Sequence, residues 1–164
     1  MRETRKSVGV LFVCTGNICR SPTAEGVFRH LVEREGIADR VLVDSAGIAA
    51  WHEGEPPDRR AQAAARRRGV DLGHLRARPV IPQDYGRFTH ILAMDRGHYR
   101  DLLRDCPRDK ADRVKMFLSF TPELGSRDVP DPYYGDAGDF EHVLDLVEAG
   151  AQGLLAEIRR ILSE

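Results

Sequence analysis

Residues 8–22 read Val8-Gly9-Val10-Leu11-Phe12-Val13-Cys14-Thr15-Gly16-Asn17-Ile18-Cys19-Arg20-Ser21-Pro22. The first six are apolar without alternation and rich in β-branched residues, as a strand buried on both faces of a parallel sheet must be. A short loop, Cys14 to Arg20, follows at once. Ser21 and Pro22 then supply an N-cap residue and a proline suited to the first helical position. Ala24, Val27, Phe28, Leu31 and Val32 recur at helical spacing up to Gly36, a natural stop.

Working outward, the strand–helix alternation continues. Val41-Leu42-Val43 reads as a second strand, and Asp58–Arg68 as an Ala/Arg-rich helix ended by Gly69. Thr89–Met94 reads as a third strand, Arg96–Asp105 as a helix stopped before Pro107, and Val114–Leu118 as a fourth strand. From Asp139 onward, apolar residues at three/four spacing predict a long amphipathic helix. Gly125–Asp139 reads as a long functional loop. Alternating strands and helices imply an α/β single-domain, flavodoxin-like, doubly wound four-stranded parallel sheet with helices on both faces. The domain is expected to span 1–164, with 1–6 disordered. Ligands of such folds bind beyond the carboxyl ends of the strands, where the Cys14–Arg20 loop emerges.

Bulk properties narrow the function classes. The 164 residues carry 41% hydrophobic and 31% charged side chains and a formal net charge of −1. That balance exerts no global pull toward nucleic acid or an anionic membrane. Arg59-Arg60 and Arg66-Arg67-Arg68 are read as solvated helix faces. Three cysteines without paired spacing argue against a zinc site and a disulfide framework, so no metal or cofactor is expected. No apolar run reaches membrane length. The expected location is the reducing cytoplasm.

Cys14 and Arg20 enclose five residues, Thr15, Gly16, Asn17, Ile18 and Cys19. A loop of that length can curl so that its N–H groups converge on an anion, with the following helix aiming its positive end at the same point. The Arg20 fork matches two oxygens of a phosphate. Gly16 gives the freedom to curl. Cysteines beside arginine or at helix N-termini ionise more readily than free ones. These residue types therefore point to in-line attack by the Cys14 sulfur on a bound phosphate monoester. The segment has neither the Gly-Lys-Ser/Thr ending of a nucleotide P-loop nor a G-x-G-x-x-G fingerprint. A departing alkoxide or phenoxide needs a proton. Asp131, stiffened by Pro130 and Pro132, is the candidate donor, with Tyr133 and Tyr134 as aromatic walls; its alternative reading is an ordinary Asp-Pro turn.

The chain resembles the low-molecular-weight protein tyrosine phosphatases. Cys14–Pro22 is similar to that family's N-terminal signature and Asp131-Pro132-Tyr133-Tyr134-Gly135 to its late acid loop. Asp44-Ser45-Ala46-Gly47 and Ile91-Leu92-Ala93-Met94-Asp95 match family segments between them. The resemblance implies that Cys14 is the nucleophile, Arg20 the phosphate ligand, and Asp131 the acid and then the base for water. It implies that Asn17 holds the loop's strained shape, that Ser21 donates to the sulfur, and that Cys19 pairs reversibly with Cys14 under oxidation. Trp51 and Tyr133 are implied as pocket walls. The implied partners are a phosphotyrosine-containing protein and phosphate or other oxyanions in the loop, with no nucleic acid or membrane. One departure stands out. The family often places a histidine three residues before an arginine, bonded to the loop asparagine. Here Leu75 falls there, and only a shifted register would bring His74 to Asn17. Two rival readings are an arsenate reductase using an external thiol, since only Cys106 lies outside the loop, and a non-catalytic phosphotyrosine-binding module.

Overall fold

In a computed structural model, residues 6–164 are described. Four parallel strands, β1 (Val8–Cys14), β2 (Val41–Gly47), β3 (His90–Ala93) and β4 (Val114–Met116), stand in the order β2-β1-β3-β4. Five α-helices join them: α1 (Arg20–Arg34), α2 (Arg59–Arg67), α3 (Asp84–Arg87), α4 (Arg96–Asp105) and α5 (Ala137–Leu162). This is the four-stranded doubly wound sheet expected. All seven residues of β1 are buried, as the central position demands. The period-2 side-chain alternation divides them. Val8, Val10, Phe12 and Cys14 join the core under α1, α2 and α5, whereas Leu11 and Val13 pack with Tyr85, Phe88 and Leu102 of the α3–α4 side. Phe12 anchors the first layer, edge-on to Phe28 at 5.9 Å and to Phe117 at 5.4 Å.

Several boundaries differ from the sequence reading, each for a local reason. Helix α1 begins at Arg20, not after Ser21. Its N-cap, Cys19, makes no side-chain capping bond. Ser21 and Pro22 thus lie inside the first turn, where a missing proline N–H still costs nothing. Strand β2 runs four residues past Val43, to Gly47, because Asp44–Gly47 pair with Leu11–Cys14. Strand β4 stops at Met116, and Phe117–Phe120 form a 3-10 turn. Helix α5 starts earlier than expected, with Asp136 and Asp139 in a reciprocal capping box. Helix α3 is short and carried no periodic signal. Of the arginine clusters, Arg67 and Arg68 pair with Glu141 on α5, with Asp145 and Glu148 also on Arg68. The expectation of disorder falls largely on residues 1–5, outside the described residues, and Lys6 lies 3.3 Å from Glu164. Among the described residues, no helix is long and apolar enough to cross a membrane.

Strand order reverses between β1 and β3, so their carboxyl ends open a crevice into which the 14–20 loop and the start of α4 both project. Gly47 makes the crevice floor possible. A Cβ on it would lie 2.9 Å from the Thr15 carbonyl oxygen and 3.0 Å from that of Ala49, both backbone atoms. Gly47→Ala should therefore destabilise the fold by about 1–3 kcal/mol, the cost of overpacking, as read by urea denaturation. An unchanged midpoint would show that the two chains do not approach as closely as described.

Candidate active site

The 14–19 loop is held by its carbonyls. Those of Cys14 and Thr15 accept the N–H groups of Ile48 and Ala49, both at 2.9 Å; that of Ile18 accepts Asp58 N–H at 2.8 Å; that of Cys19 accepts Thr23 N–H and its hydroxyl. With the carbonyls turned outward, the N–H groups of residues 15–19 donate to no protein acceptor among the described residues. Asn17 provides the turn. It is the one non-glycine described residue with positive φ, +59°, a conformation asparagine tolerates better than most residues but still at a cost.

Three bonds on the buried Asn17 side chain secure that conformation. Its Oδ1 accepts Arg78 N–H at 3.0 Å, and its Nδ2 donates to Ser21 Oγ at 2.7 Å and Ser45 Oγ at 3.0 Å. Having accepted from Asn17, the Ser21 hydroxyl can give its one proton to Cys14 Sγ, 3.0 Å away, with the Ala46 carbonyl a longer alternative at 3.4 Å. Ser45 passes its proton to Glu25 at 2.7 Å. Burial pushes the Glu25 carboxyl up, against the opposing pull of Ser45 and Arg29. Arg78 is itself clamped by Asp44 and Asp84. The Asn17 partner is thus the Arg78 backbone. His74 is exposed and lines a shallow groove with Arg29 and His30, so the shifted-register route to Asn17 is not taken.

Arg20 is buried at the start of α1. Its Nη1 makes both of its hydrogen bonds, to Asp95 Oδ2 at 2.8 Å and the Val129 carbonyl at 3.0 Å. Its Nη2 lies 3.8 Å from Asp131 Oδ2. Asp95 caps α4 through His98 N–H. Burial would raise its carboxyl, but that N–H and the Arg20 guanidinium hold it below the usual range. Asp131 is half exposed and accepts Tyr133 N–H at 3.1 Å. Its loop is pinned upstream, where Val129 N–H bonds the Met94 carbonyl at 2.8 Å and Asp128 pairs with Arg96. Tyr133 stands edge-on to Tyr134 at 4.9 Å, with the Arg60 guanidinium over its ring at 5.6 Å.

A cavity of about 240 Å³ results, lined by Cys14, Arg20, Trp51, Asp131, Tyr133 and Tyr134. Thr15, Gly16, Ile18 and Cys19 also border it, while Asn17 and Ser21 stand behind as supports. Every residue expected to act on or support a bound phosphate is therefore at this site, whereas His74 and Cys106 are not. Cys14, Cys19 and Cys106 are all free thiols. Burial, then Asp58 and Cys14, pushes the Cys19 thiol far up, so it stays protonated. Among the described residues, no group of three or more His, Cys, Asp or Glu side chains is placed to hold a metal ion.

These features agree with three comparisons. The family model described as low molecular weight phosphotyrosine protein phosphatase matches residues 9–163. The chain belongs to this family. It is 46% identical to a low molecular weight protein-tyrosine-phosphatase of Streptomyces coelicolor, over 92% of this chain and 93% of that one. The crystal structure of YfkJ from Bacillus subtilis superposes with a TM-score of 0.90 at 39% identity, covering 96% and 98% of the two chains. A crystal structure of a protein tyrosine phosphatase from Entamoeba histolytica, with Hepes in the active site, gives 0.90 at 34% identity, covering 94% and 98%.

Four contributors escaped the sequence reading. His52 lines the cavity beside Trp51. Ser45 and Asp95 lie in segments noted for their family match but given no role. The fourth is His98, buried in the first turn of α4, whose Nε2 lies 2.8 Å from Thr15 Oγ1. Its Nδ1 is 3.2 Å from Asp95 Oδ1 but off line for a hydrogen bond. The facing carboxylate favours a proton on Nδ1, leaving Nε2 to accept from Thr15. Burial, then Arg20, pushes the His98 imidazole down to about 4. The unfolded chain takes up this proton near pH 6.5 and the folded chain refuses it until about pH 4. His98 therefore makes stability fall as pH drops through that window, by about 3 kcal/mol in all. His98→Gln should flatten the loss seen by urea denaturation between pH 7 and pH 4 relative to the parent chain. Identical slopes would show that His98 is not held neutral.

Proposed function

We propose that the chain hydrolyses phosphotyrosine and small aryl phosphate monoesters through a cysteinyl-phosphate intermediate. The observation that carries this reading is that the N–H groups of residues 15–19, in the loop between Cys14 and the start of α1, have no protein acceptor among the described residues. Buried donors without acceptors are costly, and an arriving phosphate dianion satisfies them together. Arg20 adds Nε and Nη2, which make no hydrogen bond among the described residues, Nη2 lying 3.8 Å from Asp131 Oδ2, in the planar fork that two phosphate oxygens need.

The reaction follows from these positions. The Cys14 thiolate, steadied by the Ser21 hydroxyl, attacks phosphorus in line and forms the S–P bond as the P–O bond to the leaving phenol breaks. The amides and Arg20 stabilise the charge on the equatorial oxygens. Asp131 hands its proton to the departing oxygen. As a carboxylate it then takes a proton from water, whose oxygen attacks phosphorus and releases phosphate and the thiolate. The cavity depth favours aryl over alkyl phosphates, since Cys14 sits 3% exposed at the floor and Trp51, 77% exposed, stands at the rim. A flat tyrosyl ring spans that depth between aromatic walls. A working thiolate suits the reducing cytoplasm.

The rival readings lack support of this kind. An arsenate reductase relay needs further thiols near Cys14. Cys106 follows the last residue of α4, ten residues and about 15 Å of helix away from the end that faces the site. A pure binding module has no use for a carboxylate 3.8 Å from the phosphate-binding guanidinium.

Steady-state turnover of aryl phosphates tests the assignment. Cys14→Ser should abolish turnover while retaining phosphate binding. Asp131→Asn should lower kcat by about 10²–10⁴-fold, most for poor leaving groups. Turnover should survive EDTA. Residual activity in Cys14→Ser, or an equal Asp131→Asn loss across all leaving groups, would refute the roles given.

A further inference from the structure

A second, larger cleft of about 1210 Å³ opens on the other side of the Asp131 loop and shares Arg20 and Asp131 with the catalytic cavity. Its walls are the first turns of α4, strand β4 and residues 127–131. Most of its charges cancel in pairs: Arg20 with Asp95, and Arg96 with Asp128 through both Nε and Nη2. Arg100 and Arg127 remain. Both line the cleft, both are exposed, and neither has an ion-pair or hydrogen-bond partner among the described residues. Lys115 lines it too, although its charge is partly engaged with Glu157 on α5. Asp112 and Asp131 are the lining carboxylates outside these two pairs, so five basic side chains face four acidic ones. The cleft thus carries a net positive charge in a chain whose overall formal charge is −1, so the patch is local and does not reflect a basic protein.

We propose that this cleft receives the polypeptide flanking the phosphotyrosine of a protein substrate and selects acidic side chains there through Arg100 and Arg127. The proposal rests on the phosphotyrosine phosphatase reading above. Three observations support it. The cleft adjoins the catalytic cavity at Arg20 and Asp131, so it offers a path for a chain whose phosphotyrosine reaches Cys14. Two unpartnered guanidiniums offer forked donors that fit carboxylates. The walls between them, Tyr99, Val114 and Met116, supply apolar surface for the peptide backbone and the stems of its side chains. Exposed ion pairs of this kind contribute modestly to binding and are screened by salt, which suits discrimination among substrates better than tight capture. A recessed cleft also fits a peptide better than the flat face of an anionic membrane.

The test compares two phosphotyrosine peptides, one with Asp and Glu immediately before and after the phosphotyrosine and one with Asn and Gln there. Para-nitrophenyl phosphate, which carries no flanking polypeptide for Arg100 and Arg127 to bind, serves as the third substrate. Wild-type protein should prefer the acidic peptide by about three- to tenfold in kcat/KM, through KM. The preference should vanish as ionic strength rises from about 0.01 to about 1 M, where the Debye length shrinks from about 30 to about 3 Å. Arg100→Glu/Arg127→Glu should erase or invert it while leaving para-nitrophenyl phosphate turnover unchanged. Equal turnover of both peptides by the wild type, or a preference that persists in the double variant, would overturn the cleft assignment with catalysis intact. A preference lost together with para-nitrophenyl phosphate turnover would also overturn it, because the two arginines would then act on the catalytic site itself. Wild-type protein inactive on all three substrates would overturn the phosphatase reading as well.

Discussion

The site depends on one backbone decision: Asn17 sits in the left-handed region, in a loop whose Thr15, Ile18 and Cys19 carbonyls are taken by protein donors while the amides of residues 15–19 have no acceptor among the described residues. The conformation is unfavourable for a residue with a Cβ, so it persists only because the surroundings over-determine it. The Asn17 side chain ties the turn to α1 through Ser21, to β2 through Ser45 and to the 77–80 segment through the Arg78 N–H. The same hydrogen-bond directions that fix the loop also aim the Ser21 hydroxyl at the Cys14 sulfur. Support and chemistry are thereby one network.

The doubly wound sheet explains why such a loop can be built here. The last residue of β1 delivers a sulfur, helix α1 begins six residues later, and α4 enters the same crevice from β3. Each contribution comes from a chain reversal at a strand's carboxyl end. Arg20 reaches across from α1 to Asp95 at the head of α4 and to the Val129 carbonyl, so the loop bearing Asp131 is registered against the loop bearing Cys14. The buried polar groups are expensive individually. Among the described residues the one buried side-chain polar atom without a hydrogen-bond partner is His98 Nδ1, and Thr15, Gly16, Ile18 and Cys19, whose amides have no acceptor, line the cavity.

The strands and major helices were legible because β1 is apolar on both faces and α1 and α5 keep a helical apolar period. The edges were less so. Ser21 reads as an N-cap from its residue type, yet its hydroxyl is taken by the sulfur and by Asn17, and the helix starts without a side-chain cap. Cys14, Arg20 and the loop between them could be found because they are contiguous and carry chemistry in their spacing. Asp131, 111 residues beyond Arg20 in the chain, is a candidate from its flanking prolines, but only the family resemblance favours the donor over an ordinary Asp-Pro turn. His98 and Ser45 could not be read in the same way. Their roles come from being brought within 3 Å of Thr15 and Asn17, and a lone histidine or serine at a helix start or strand end has no local pattern announcing such a partner. His74 shows the converse, since proximity in sequence to the family position placed it nowhere near the loop.

The most direct measurement of the central claim is chemical trapping of the phosphoryl group. Wild-type protein turning over an aryl phosphate should be quenched rapidly, digested and examined by mass spectrometry. The account predicts a phosphoryl adduct on the peptide containing Cys14, carried on sulfur, with its yield raised in Asp131→Ala if water attack slows more than transfer. A phosphoryl group found on any other residue, or steady turnover with no covalent adduct at Cys14, would contradict it.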